Sequence, residues 1–156
     1  MHARARNAFT LVEILIVVVI LGILAAIVVP RFIGATEDAR IGAFISSLKT
    51  YADACELYNA KEGRYPPDGS SGVVPPGMET YVDASEWTAG TPLGGVWDSE
   101  YFDSGVSAAV GVHFNGGDVP DDATMLLVDE RFDNGDLDSG LFQKLANERF
   151  YFVLEQ

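Results

Sequence analysis

FTLVEILIVVVILGILAAIVVP, Phe9 to Pro30, is the stretch whose reading decides the fold, and Glu13 is its only charged residue. The apolar run from Phe9 to Val29 has 21 residues. As a helix rising about 1.5 Å per residue it spans roughly 30 Å, the thickness of a bilayer's hydrocarbon core. An isolated ionised acid in hydrocarbon costs roughly 2.5–3.5 kcal/mol on insertion scales, so such a group needs a partner or a task. Arg4 and Arg6 precede the run and no further base occurs until Arg31. By the positive-inside tendency, that asymmetry leaves the N-terminus in the cytoplasm and exports the rest.

The chain of 156 residues has room for this segment and one small globular domain. Its formal charge is −13, and from Asp98 onward thirteen acids face only Arg131, Lys144 and Arg149. Such a balance excludes nucleic acid as a partner, repels anionic lipid headgroups and attracts cations. Cys55 is the only cysteine, so no disulfide can form within the chain, and its helical neighbours make it a small buried hydrophobe.

An ordinary secretory signal would carry a small-residue cleavage site after the apolar run. Val28, Val29, Pro30 and Arg31 fit that site poorly. NAFTLVEILIVVVILGILAAIVVPRF resembles instead the N-terminus of the type IV pilin-like superfamily, type IV prepilins and type II secretion pseudopilins. The resemblance implies that a leader, residues 1–8, is cut between Ala8 and Phe9 by prepilin peptidase, which then N-methylates Phe9. Ala8 stands where the family usually has glycine. It also implies that Glu13 pairs with the new Phe9 amine of a neighbouring subunit during assembly, and that Gly22 and Pro30 are the family's helix-weakening positions. A carboxylate that becomes tolerable only when a second subunit arrives is a docking and register device.

From Ile41 the pattern becomes one-sided. Ile41, Phe44, Ile45, Leu48, Ala52, Cys55 and Tyr58 recur at steps of three and four, with Lys49, Asp53 and Glu56 between them. The helix is expected from about Phe9 to about Lys61, ended by GRYPP. The expected organisation is a leader at 1–8, a transmembrane or filament-core helix at 9–30, an amphipathic helix at 31–63 and a globular head at 64–156. ELYNAKEGRYP resembles the helix end of the major type II secretion pseudopilin, which favours that branch over a type IV pilin or minor pilin.

Residues 66–95, rich in proline and glycine, read as a loop with a short helix near Met78 to Trp87, with Trp87 and Trp97 as its anchors. SAAVGVHF (107–114), TMLLVDE (124–130) and RFYFVLE (149–155) read as strands, with a fourth at GVWDSEYF. The expected fold class is α+β, a long N-terminal helix on an antiparallel sheet of three or four strands.

VDERFDNGDLDSG, residues 128–140, is the densest polar cluster. Asp129, Asp133, Asp136 and Asp138 either form a solvated acidic turn around Asn134-Gly135 or supply oxygens to Ca²⁺, although the spacing is not that of an EF-hand. His113 has no second histidine beside it, and no G-x-S-x-G, H-E-x-x-H, Walker A or Rossmann pattern occurs. No enzymatic activity is expected. The resemblance implies a non-catalytic subunit, anchored in the inner membrane with a periplasmic head, that assembles with itself, other pseudopilins and the inner-membrane assembly platform. The alternative of another class is a membrane-anchored binding domain that never assembles.

Overall fold

The structure, a computed structural model, describes residues 9–103, 105–116 and 119–156, without the side chains of 29–33. The expected leader, with Ala8, lies outside the described residues. Helix α1 runs from Leu11 to Glu62, and two compact units divide at its interior, Met1–Ala39 and Arg40–Gln156. In the first unit every described side chain from Phe9 to Val28 is exposed. Among the described residues one window, Leu11–Val28, is long and apolar enough to cross a membrane.

The second unit holds the core. On its stretch of α1, Ile41, Phe44, Leu48, Tyr51, Ala52, Cys55 and Tyr58 are buried, while Lys49, Asp53 and Glu56 are exposed. That three-and-four spacing places one stripe against a sheet. Gly63, at φ +71°, ends the helix in the left-handed conformation that glycine adopts without a Cβ penalty. The following Tyr65 is buried, and its hydroxyl donates to Glu56 Oε1 at 2.9 Å.

Among the described residues, four antiparallel strands complete the head: β1 (Val96–Asp103), β2 (Val106–His113), β3 (Phe142–Ala146) and β4 (Arg149–Glu155), in the order β1-β2-β4-β3. The class is α+β. Alternation along the strands sends Trp97, Val110, Val112 and Phe150 into the core with α1, and Ala109, Tyr151 and Val153 to a smaller cluster on the other face. Gly111 sits in the central strand β2, paired to Tyr151, where a Cβ would collide with the Phe150 carbonyl and the Tyr151 Cα. Only glycine fits that approach.

Two expectations change. TMLLVDE is not a strand but the body of helix α3 (Asp122–Glu130), whereas α2 is the short helix Ala84–Thr88. A short apolar run has no decisive period, and the cap decides here. Asp121 Oδ1 accepts hydrogen bonds from the Thr124 N–H at 2.9 Å and hydroxyl at 2.7 Å, and Met125, Val128 and Asp129 then fall on the buried side. The fourth strand of the sheet is β3, paired with β4, which the sequence pattern of FQKLA did not reveal. Trp87 of α2 and Trp97 of β1 are both fully buried against Tyr51, with ring centroids 4.9 and 4.8 Å away.

Candidate functional site

Glu13 has an intrachain partner. Thr10 precedes the first residue of α1, and its N–H and hydroxyl both donate to Glu13 Oε2 at 2.8 Å, while the Glu13 N–H donates to Thr10 Oγ1 at 3.2 Å. This is a reciprocal capping box, Thr-x-x-Glu, which satisfies two of the N–H groups that a helix start leaves open. The acid at the start of the apolar segment thus closes its own helix end within one chain. The helical assignment is continuous through Gly22 and Pro30.

The acidic loop after α3 is organised around an enclosed carboxylate. Asp129 is fully buried, and neither of its oxygens has a hydrogen-bond partner of normal geometry. Burial pushes its carboxyl up from the ordinary range; the charges of Asp133 and Asp136 add to this, and the backbone N–H groups of Asp136 and Gly135 oppose it. Asp133 Oδ2 accepts from the N–H groups of Leu141 and Phe142, tying the loop to the start of β3. Asp136 accepts from the Asp138 N–H at 3.1 Å and the Ser139 hydroxyl at 2.9 Å, and Asp138 is exposed. Gly140, at φ +88°, lies where a Cβ would strike Asp133 Oδ2 and the Asn134 amide.

A buried carboxylate with no hydrogen bond of normal geometry is costly to ionise, and a hard cation with oxygen affinity would offset that cost. The charges of Asp133 and Asp136 act on Asp129. Among the described residues, however, the three carboxylates whose oxygens lie within 4.8 Å of one another are Asp68, Glu100 and Asp103.

A third constellation was invisible in the sequence. Asp98 Oδ2, buried on β1, accepts from the Ser71 hydroxyl and the Tyr151 hydroxyl, each at 2.8 Å, and Arg149 bridges Asp98 and Glu100. Ser71 Oγ also lies 2.9 Å from His113 Nδ1. Because the Ser71 proton goes to Asp98, the imidazole must supply the proton of the second bond. A hydrolytic triad needs the imidazole between acid and hydroxyl, whereas here the hydroxyl stands between the other two. Burial and Arg149 hold His113 below its usual pKa, and burial raises Glu100. The arrangement fastens the loop around Ser71 to the sheet. Alternation places these residues on one face, but only the folded loop brings Ser71 to them.

The family model described as the prokaryotic N-terminal methylation motif matches residues 3–29. Type II secretion system core protein G of Pseudomonas aeruginosa is 41% identical over 66 residues, 42% of this chain and 46% of that protein. The core protein G of Escherichia coli K12 is 33% identical over 79 residues, 51% and 50% of the two chains. This chain resembles core protein G. The Vibrio cholerae core protein G is 38% identical over 63 residues. The resemblance to core protein G thus spans about half the length of these relatives or less, and no solved structure matches the chain. The methylation motif contains Ala8, Phe9, Glu13 and Gly22 and stops one residue short of Pro30.

Proposed function

We propose that the chain is a pseudopilin of type II secretion, a structural rather than catalytic subunit. It enters the inner membrane as a prepilin through Leu11–Val28, with the N-terminus cytoplasmic and the head periplasmic. Prepilin peptidase cuts between Ala8 and Phe9 and methylates Phe9, and the subunit leaves the membrane for a periplasmic filament with other pseudopilins at the assembly platform. The four segments 1–8, 9–30, 31–63 and 64–156 are then leader, filament core, supporting helix and head.

The observation that carries this reading is a helix whose apolar residues from Leu11 to Val28 are exposed on every side, headed by an acid. Lipid satisfies such a surface first, and a bundle of identical helices satisfies it afterwards. Glu13 is held by Thr10 in the single chain, and a neighbour's Phe9 ammonium offers a stronger, charge-assisted partner at assembly. Gly22 and Pro30 are the positions where α1 can loosen during packing.

Mass spectrometry of the mature N-terminus tests the processing: a chain beginning at methylated Phe9 is expected, and one still beginning at Met1 ends the reading. Glu13→Ala should insert in the membrane normally and assemble poorly. Asp129, Asp133, Asp136 and Asp138 form the candidate Ca²⁺ loop. It is supported by the enclosed Asp129 carboxylate, whose oxygens have no hydrogen-bond partner of normal geometry. Chelation should lower the melting temperature of the purified protein, and an unchanged melt would remove the metal.

A further inference from the structure

Ser46, Ser47, Thr50 and Tyr51 of α1 and Glu86 of α2 line a cleft of about 230 Å³ in the head. Steps of three and four put these α1 residues on one face. The Thr50 hydroxyl donates back to the Ser46 carbonyl at 2.9 Å, whereas the hydroxyls of Ser46 and Ser47 and the Glu86 carboxylate make no hydrogen bond or ion pair among the described residues. Tyr51 is the buried wall. It is 4% exposed, and its ring packs edge-on against Trp87 and Trp97. A tyrosine buried so far usually has its O–H paired. Here the hydroxyl has no partner among the described residues, yet it is not one of the fully enclosed unpartnered atoms, so it opens on the cleft.

The charge that reaches this cleft is negative. Burial first, then Glu86 and the capping Asp83, push the Tyr51 phenol up to about 12, so it keeps its proton at neutral pH. No lysine or arginine lines the cleft. The bases nearest in sequence on α1 are engaged elsewhere: Arg40 Nε donates to the Pro92 carbonyl at 2.8 Å, and the Lys49 ammonium lies 5.1 Å from the centre of the Phe132 ring.

We propose that the cleft between Ser46, Ser47, Thr50, Tyr51 and Glu86 receives an arginine side chain of a partner protein. Glu86 supplies the one full charge, and every hydroxyl around it can accept, so an anion is repelled. A divalent cation is a poor match as well, because it takes about six to eight oxygens and the lining holds a single carboxylate. A guanidinium presents five N–H groups in one plane, enough for a carboxylate flanked by hydroxyl oxygens, and it is more weakly hydrated than an ammonium. It is the cation that loses least on entering a half-closed site. Arginine is also enriched among the anchors of protein interfaces, and a chain of formal charge −13 draws basic partners to it. The inference goes beyond the filament reading and needs only the head, so it holds whether or not the chain polymerises.

The test uses the full chain in non-ionic detergent, with ¹³C-labelled tyrosine rings, titrated with N-acetylarginine methylamide and with its lysine and glutamine counterparts. The arginine probe should shift the Tyr51 resonance saturably in the millimolar range, about tenfold more tightly than lysine, with the remaining tyrosines and the glutamine probe as silent controls. Glu86→Gln, at an exposed side chain that bonds nothing in the fold, should weaken the arginine titration about tenfold and leave the melting temperature unchanged. In cells of the native host, photoreactive benzoylphenylalanine in place of Thr50, exposed on the rim, should cross-link to an arginine-containing segment of another protein, and Glu86→Gln should abolish that product. Equal binding of lysine and arginine, a shift spread over all the tyrosines, or a titration untouched by Glu86→Gln overturns the proposal. A cross-link that maps to a segment without arginine, or none at all, overturns it too.

Discussion

Two stretches of the same helix, Leu11–Val28 and Ile41–Tyr58, are both rich in apolar residues, yet one is exposed at every position and the other is buried along a single stripe. The second stripe finds its partner within the chain, where Phe44 stacks on Trp97 at 5.4 Å and meets Phe142 edge-on at 6.4 Å. The first stretch is apolar on every face, a surface that a single sheet cannot cover and a surrounding membrane or bundle can. Width of the apolar face, more than apolar content, says whether a helix is completed by its own fold or by another body.

Breaking the inner stripe should give the largest effect. Phe44→Ala removes a fully buried ring and should cost about 3–5 kcal/mol of head stability. Denaturation of the full-length protein in detergent measures it, and membrane association should persist. A loss below about 1 kcal/mol would mean that the stripe is not what holds the head together. In the outer stretch the pattern should reverse. Val18→Asp places a second acid amid apolar neighbours and should raise the insertion cost by about 2.5–3.5 kcal/mol, read as protein lost from the membrane fraction. The head's melting temperature should not move, and if it does, the two stretches are not independent.

The same contrast explains what could be read from the residues. Long α1, its buried face and strands β1, β2 and β4 follow from periods sustained over many residues. Helix α3 did not, because TMLLVDE is seven residues long and suits either period; the deciding signal was Asp121 three residues before Thr124. Strand β3 was missed because FQKLA carries one strongly buried residue, Phe142, and owes its place to pairing with β4. At the candidate sites, the acid at position 13 was conspicuous, while the Thr10 capping box lay unread in the same four letters. Asp129 stood out only as one acid of several; its enclosure depends on α3, which the strand reading had removed.

A smaller effect sharpens the α3 assignment. The Thr124 hydroxyl and N–H hold the Asp121 carboxyl below its ordinary value. A group depressed in the folded state stabilises above its unfolded pKa, and that contribution disappears as pH falls through the folded value. Asp121→Asn should therefore melt slightly lower at neutral pH, with the gap to the unaltered protein closing under acid conditions below the usual aspartate range. A gap that widens with acid would contradict the cap.

The smallest expected signal is at Cys55, on the inner stripe and 1% exposed. Burial, with Glu56 beside it, pushes its thiol up to about 12. At pH 8 the reactive thiolate is then only about one part in ten thousand, against roughly a quarter for a free cysteine of pKa 8.5. Because access is closed as well, iodoacetamide should leave the native chain unlabelled over hours and modify it promptly in denaturant. Labelling at the free-thiol rate under native conditions would mean that the stripe opens in solution. The second half of α1 would then resemble the first, needing a partner from outside to cover it.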